Sequence, residues 1–539
     1  MYIVLSPGRA RAYSDDGAAL SDERTGELAA FVAEHPTARF VWDDTRRWYP
    51  ALLGAGLRVE RCVDLRLSHA ILRHSSLTAD SDLARAQPGP WDVTAPTEAP
   101  RDRGTALFDL DEPEPVAEAD PVAEWMLQRA AVAASADPAR LGLLLAAESA
   151  GALIACEMQH FGLPFDAARH EALLVELLGP QPRAGERPAK LEVLRGVLVE
   201  KLETDFNPDS PVELLRALQL AGMQVKSTSR WELRDIKHPA IAPLLEYKKL
   251  ARLASANGWS WLETWVADGR FRPEYVPGGV VTGRWAANGG GALQLPKQIR
   301  GAVVADPGWK FVVADAAQLE PRVLAALSRD QRMAKAGEGD MYEGIVASGA
   351  VATRAQAKVA MLGAMYGATT GESGRLLPGL VKAFPQALAL VEAAARAGER
   401  GEVVSTRLGR SSPRPDQQWA AQSSIDAEAE SRAKNQARSW GRFTRNFVVQ
   451  GTAAEWALCW MAGLRGALWS LSDAAPAQRP HLVFFLHDEV IVHTPSELAE
   501  QVAACIRQAA ADAGRLLFND LPVTFPVTTA IVDNYAEAK

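Results

Sequence analysis

Two apolar runs in this sequence carry carboxylates where a chain normally hides none. WKFVVAD (309–315) ends in Asp315, and VFFLHDEVIV (483–492) sets His487, Asp488 and Glu489 in the middle of ten otherwise apolar residues. Aromatic and β-branched residues read as buried strands, the second folding into a hairpin with its turn at the charges. A buried, unpaired carboxylate is expensive, so such acids are paired, hydrogen-bonded or metal-bound. One such acid alone reads as a turn or cap residue. Two strand-borne sites facing each other across a sheet could seat two hard cations ~4 Å apart and clamp an in-line phosphoryl displacement. Arg354, Lys358, Leu362 and Tyr366 recur every four residues within a helical pattern at 351–368, whose end Gly363 and Gly367 weaken. That spacing keeps them near one helix face. A solvated basic stripe on an amphipathic helix is the plain reading of such a face. From Ser431 to Gln450 stand Arg432, Lys434, Arg438, Arg442 and Arg445 with no acid between them. They form a candidate phosphate-tracking surface or a solvated helix face.

The elements that must position these groups belong to a chain of 539 residues, enough for two to four domains with a large core. Hydrophobic residues make up 48% and charged residues 23%, which excludes a disordered or collagen-like chain. With 58 basic and 66 acidic residues the net charge is −8, so nucleic acid would have to be met by a local basic groove. The four cysteines, at 62, 156, 459 and 505, form no metal or disulfide pattern and suit a cytoplasm. No signal peptide is read at MYIVLSPGRARAY, and no uncharged apolar run reaches ~18 residues, so no membrane span is expected. Residues 1–88 read as a small α/β unit, with strands at YIVL and RFVW and helical patterns at 23–35 and 64–73. Residues 89–120 are acidic and Pro-rich and read as a linker. Residues 121–270 are helical, and the remainder mixes strands and helices around a polar stretch at about 411–435.

DAAQLEPR (315–322) resembles the first palm motif of family A DNA polymerases, the DNA polymerase I-like enzymes. RAQAKVAMLGAMYG (354–367) is similar to their fingers helix, and HDE (487–489) to their second palm motif. VTGRW (281–285), LQLP (293–296), FTRNFVVQGTAAE (443–455), FNPDSPVELLRAL (206–218) and LLEYKKLARL (244–253) also fit, in family order. The resemblance covers about 140–539. It implies an α+β right-hand polymerase with a helical thumb at 121–270, a palm at 271–335 and 446–539, and fingers at 336–445 with an insertion at about 411–435. It implies that Asp315, Asp488 and the Ala316 carbonyl hold two Mg2+ ions, with Mn2+ as a substitute, and that Glu489 is a carboxylate beside them. Arg354 and Lys358 would take the dNTP triphosphate, Lys358 also as acid for pyrophosphate. Tyr366 would stack at the template base, and Glu320 would exclude a ribose 2′-hydroxyl. Gln318, Arg322, Arg284, Gln294, Arg442, Asn446 and Gln450 would contact template, primer or the minor groove, and His487 the primer terminus. The partners implied are primer-template DNA and dNTPs, for a monomer in the cytoplasm.

The sequence also departs from that family. Position 362 is Leu where the family has an aromatic that packs on the sugar, and Tyr342 stands where a triphosphate-binding His is usual. Pro321 lies within the first palm motif, where a helix is expected to start. Residues 1–88 resemble the RNase H-like proofreading 3′–5′ exonuclease, yet no DxE stands on the first strand, Arg47 falls where an acid is needed, and no YxxxD follows Asp64. An inactive exonuclease domain is expected, with no 5′-nuclease domain before it. Two rivals remain at this stage. A phage-type RNA polymerase lacks counterparts of Glu320 and Glu489. A non-catalytic DNA-binding protein on a decayed scaffold would not need Asp315, Asp488, Lys358 and Arg354.

Overall fold

The computed structural model describes residues 1–93, 119–234, 236–291, 295–368, 371–415, 427–519, 521 and 523–538, without the side chains of 231 and 427–432. Most of the Pro-rich segment expected at 89–120, Gln294, and 416–426 of the expected insertion lie outside the described residues. The chain forms two compact units. One comprises Met1–His160, Tyr275–Ala286 and Val312–Ile531, and the other Phe161–Glu274, Ala287–Phe311 and Val532–Lys539. The helical stretch 121–270 is therefore divided between them at His160.

The first unit begins with a five-stranded sheet made of β1 (Tyr2–Ser6), β2 (Arg9–Tyr13), β3 (Ala19–Arg24), β4 (Arg39–Trp42) and β5 (Arg61–Asp64), in the order β3-β2-β1-β4-β5. The first three strands are antiparallel, and β1, β4 and β5 run parallel. β2 and β3 went unread in the sequence, and the helical pattern at 23–35 shrinks to Leu28–Glu34. The reason is physical: β3 is exposed along its whole length and shows no apolar alternation. Pairing with β2 and an Arg9–Asp22 ion pair at 2.6 Å hold it. Helix α1 (Leu65–His74) follows, capped by Asp64, which accepts from Leu67 N at 3.0 Å. Helix α2 (Pro138–Phe161) is long and apolar enough to cross a membrane by length and composition, and 67% of its most apolar stretch is buried inside the protein. Its Leu153 and Cys156 complete the core of the N-terminal sheet with Ile3, Phe40 and Trp42.

A second sheet carries the acid-bearing strands. β6 (Trp309–Ala316), β7 (His481–Leu486), β8 (Glu489–Pro495) and β9 (Val527–Val532) lie in the order β7-β8-β6-β9. β7 and β8 form the expected antiparallel hairpin, ending at Leu486↔Glu489, and most of their residues are buried. Helices α3 (Leu319–Ser328), α4 (Met341–Ala347), α5 (Arg354–Tyr366) and α6 (Pro385–Glu399) follow β6. Helix α3 starts two residues before Pro321, which sits in its first turn, where a missing N–H costs nothing. Helix α7 (Ala427–Trp469) runs 43 residues, about 64 Å at 1.5 Å per residue, and begins inside the stretch expected to be an insertion.

Burial pushes the Glu455 carboxyl of α7 up from its ordinary 4.5 to about 7, although Thr406 Oγ1 and Leu408 N donate to it. An acid with a raised pKa stabilises the fold fully below its unfolded value and loses that contribution as pH rises through the folded one. Glu455→Gln is therefore expected to melt progressively higher relative to wild type as pH rises from 5 to 8, by a difference of up to about 3 kcal/mol. Thermal melts across that range check it; a constant difference would contradict it.

The second unit contains helices Ala167–Leu178, Ala189–Leu202, Pro211–Leu220 and Ile241–Asn257, and a sheet of three two-residue strands.

Candidate active site

The turn between β7 and β8 is sharp: His487 has φ 58°, and Asp488 N donates to Leu486 O at 2.7 Å. Non-glycine residues rarely adopt that region, so the turn is held from outside. Ala316 N supplies the hold by donating to Asp488 O at 2.9 Å. This bond fastens the acid of the hairpin to the end of β6, one residue from Asp315. Asp315 and Asp488 are half-buried, His487 is exposed, and Glu489 and Ala316 are buried. Two carboxylates and a backbone carbonyl are hard oxygen donors of the kind Mg2+ takes, with substrate phosphates completing its shell. No cluster of three or more His, Cys, Asp or Glu that could hold a metal occurs among the described residues.

The chain turns again directly after β6. Gln318 adopts φ 50°, caps α3 and donates from Nε2 to Asp340 Oδ2 at 3.1 Å. Glu320, in the first turn of α3, accepts from Tyr366 Oη at 3.2 and 3.0 Å and is ion-paired with Arg284. At the other end of α5, Arg354 donates to Asp340 at 2.8 Å and lies over the Tyr342 ring, 5.4 Å from its centroid. The Arg354 guanidinium holds the Asp340 carboxyl below its ordinary range. Helix α5 is thus tied to the segment that follows Asp315 directly through Tyr366 and Glu320, and indirectly through Asp340, which accepts from both Arg354 and Gln318. Its exposed face carries Arg354, Lys358, Leu362 and Tyr366, while Ala357, Ala360, Met361, Ala364 and Met365 are buried. Leu362 is 38% exposed on that face.

Two expectations are corrected. Arg322 contacts no groove: it is 1% exposed, and its guanidinium is spent on backbone carbonyls. Nε donates to Ala317 O, Nη1 to Gly337 O and Thr524 O, and Nη2 to Gly339 O, at 2.6–3.0 Å. Arg445 leaves the basic surface as well, because it is buried, donates to Ala364 O and pairs with Glu392. Arg442 remains exposed, and Asn446 and Gln450 are half-buried on α7. Tyr342 is 8% exposed and serves mainly as a packing surface for Arg354.

Sequence reasoning missed two features. The second unit holds a groove of about 860 Å3 lined by Arg230, Lys248, Lys249, Arg252, Lys297 and Arg300, with Glu246 the one acid among the described lining residues. Its signal was present in LLEYKKLARL, where three cations fall within five residues. The buried Arg410–Glu148 pair joins residues 262 apart, and no pattern announced it.

The family model for DNA polymerase family A matches residues 184–537. This chain belongs to DNA polymerase family A. It is 26% identical to DNA polymerase I of Chloroflexus aurantiacus over 60% of its own length and 35% of that protein's. It is 25% identical to the thermostable DNA polymerase I of Thermus filiformis over 72% of its own length and 47% of that protein's. The chain thus spans between about a third and a half of these relatives. Its fold matches the POL domain of Pol1 from M. smegmatis, solved in complex with DNA primer-template and dNTP, with TM-score 0.69 and 19% identity over 98% of this chain and 93% of that one. The fold class is the α+β right-hand polymerase expected of the family A chain.

Proposed function

We propose that this chain is a template-directed DNA polymerase, in which a primer 3′-hydroxyl attacks the α-phosphate of a dNTP and pyrophosphate leaves. One observation carries the reading: the face of α5 that bears Arg354 and Lys358 is bonded through Tyr366 to Glu320, and through Asp340 to Gln318, in the segment that continues from Asp315, the residue beside the Ala316–Asp488 bond. Phosphate-binding cations and metal-type carboxylates belong to one site. Two Mg2+ ions, or Mn2+ in their place, would be held by Asp315, Asp488 and the Ala316 carbonyl and would supply the Lewis acidity for the displacement. Arg354 and Lys358 neutralise the triphosphate, and Lys358, exposed on α5, can pass a proton to pyrophosphate. Arg354 gives Asp340 only Nη2, so its other N–H groups can meet that triphosphate. Glu320, fixed between Arg284 and Tyr366, fills the space a ribose 2′-hydroxyl would need. Glu489 supports the site beside the metals, and His487 meets the primer terminus. Arg442, Asn446 and Gln450 of α7 would meet the duplex, where minor-groove acceptors are nearly independent of sequence. The groove around Lys248 and Arg252 supplies sequence-independent phosphate contacts in a chain of net negative charge.

The N-terminal domain acts as an RNase H-like fold without nuclease chemistry. Its strand order and parallel pairing support the fold reading. Asp64 is committed elsewhere, accepting from Thr45 N, Thr45 Oγ1 and Leu67 N at 2.7–3.0 Å, and Arg47 pairs with Asp43. Primer extension tests the whole reading. Single-nucleotide addition with dNTPs, little with rNTPs, and no shortening of a 3′-mismatched primer are expected. Binding of the primer-template without extension would favour the decayed scaffold instead.

Leu362 offers the incoming sugar a branched aliphatic surface in place of a ring. Leu362→Phe is expected to change the ratio of deoxy- to dideoxynucleotide incorporation by about tenfold while leaving dNTP use within about twofold. Competition assays measure that ratio. Identical sugar preferences would remove position 362 from sugar recognition.

A further inference from the structure

The segment 402–412, between α6 and α7, is bonded on three sides. Thr406 and Leu408 donate to Glu455 of α7, and Arg407 N donates to Thr452 Oγ1 at 3.0 Å. Arg140 of α2 donates to Arg407 O at 2.6 Å. From the N-terminal domain, Ser75 Oγ donates to Gly409 O at 2.7 Å, and Ser76 N to Ser411 Oγ at 2.9 Å. The segment delivers Arg410 to Glu148 of α2, which is 1% exposed. The guanidinium also lies directly on Gly283. A Cβ there would come within 2.5 Å of Arg410 Nε, and Gly283 has φ 84°, so both space and backbone demand glycine. The next residue is Arg284, which pairs with Glu320.

The pair is poorly arranged as a source of stability. Glu148 Oε2 and Arg410 Nε are both buried without a hydrogen-bond partner, and burial works against the charged form of Glu148. Buried ion pairs of this kind fix geometry more reliably than they add stability. The guanidinium held by Glu148 packs against the backbone immediately before Arg284.

We propose that Glu148 and Arg410 are positioning residues that aim Arg284 at Glu320, with the N-terminal domain bracing the segment from behind through Ser75 and Ser76. The proposal rests on the polymerase reading of the site and adds to it a use for a domain whose own acids are committed elsewhere. Loss of the pair lets Arg284 shift and loosens the nucleotide end of the site, where small misplacements cost rate.

The test uses the full chain in steady-state single-nucleotide incorporation with dNTPs and rNTPs, alongside thermal melts. Arg410→Lys, which keeps the charge but not the fork, is expected to raise the dNTP KM about fivefold to tenfold and to lower discrimination against rNTPs. Glu148→Gln is expected to act in the same direction. In an Arg284→Ala background Arg410→Lys should add little, because it acts through Arg284. Ser75→Ala, which removes the bond to Gly409, is expected to raise KM about twofold to threefold. Full additivity with Arg284→Ala, or a change confined to melting temperature, would overturn the positioning role. Unchanged kinetics for Ser75→Ala would remove the brace. A wild-type chain that extends no primer would instead defeat the polymerase reading.

Discussion

Asp488→Ala is expected to leave the fold and primer-template binding in place and to lower nucleotide incorporation by about 10^3-fold or more. The fold is expected to survive because alanine keeps the backbone of residue 488, whose carbonyl accepts from Ala316 N and whose N–H donates to Leu486 O. DNA binding survives because removing a half-buried negative charge near phosphates lessens repulsion. On the proposed mechanism incorporation falls because one of the two carboxylates that would hold the metals is gone. Rapid-quench extension beside a fluorescence-anisotropy titration separates these effects. Extension within tenfold of wild type would show that the chemistry lies elsewhere.

Arg322→Met is expected to destabilise the chain by about 3–5 kcal/mol without weakening DNA binding per folded molecule. Methionine fills much of the volume but leaves the carbonyls of Ala317, Gly337, Thr524 and Gly339 without their donor in a buried place. Each such acceptor costs about 1–3 kcal/mol before the structure relaxes. Urea denaturation gives the stability change, and the salt dependence of DNA affinity gives the contact count. A stable Arg322→Met chain with a shallower salt slope would return Arg322 to the DNA interface.

Arg322 also shows where sequence reading ends. A motif gives residue types and order, so Asp315, Glu320, Arg354, Lys358 and Tyr366 could be named and α5 drawn as a helix with one polar face. It does not say which carbonyls converge on a given arginine, because Gly337, Gly339 and Thr524 are brought there by the fold. Arg445 misled for a related reason: it shares a basic segment with Arg442 but lies on the buried side of α7. The β6 strand and the β7–β8 hairpin were legible because both are apolar enough to admit no other reading. β3 was not, since an edge strand exposed along its whole length carries no hydrophobic signal.

The shared core beneath the N-terminal sheet bears on how such a chain can evolve. Ile3, Phe40 and Trp42 are packed against Leu153 and Cys156 of α2, so the first 88 residues are not an appendage that a deletion could trim cleanly. A gene shortened at that point would encode a protein with a greasy scar along one helix, prone to self-association.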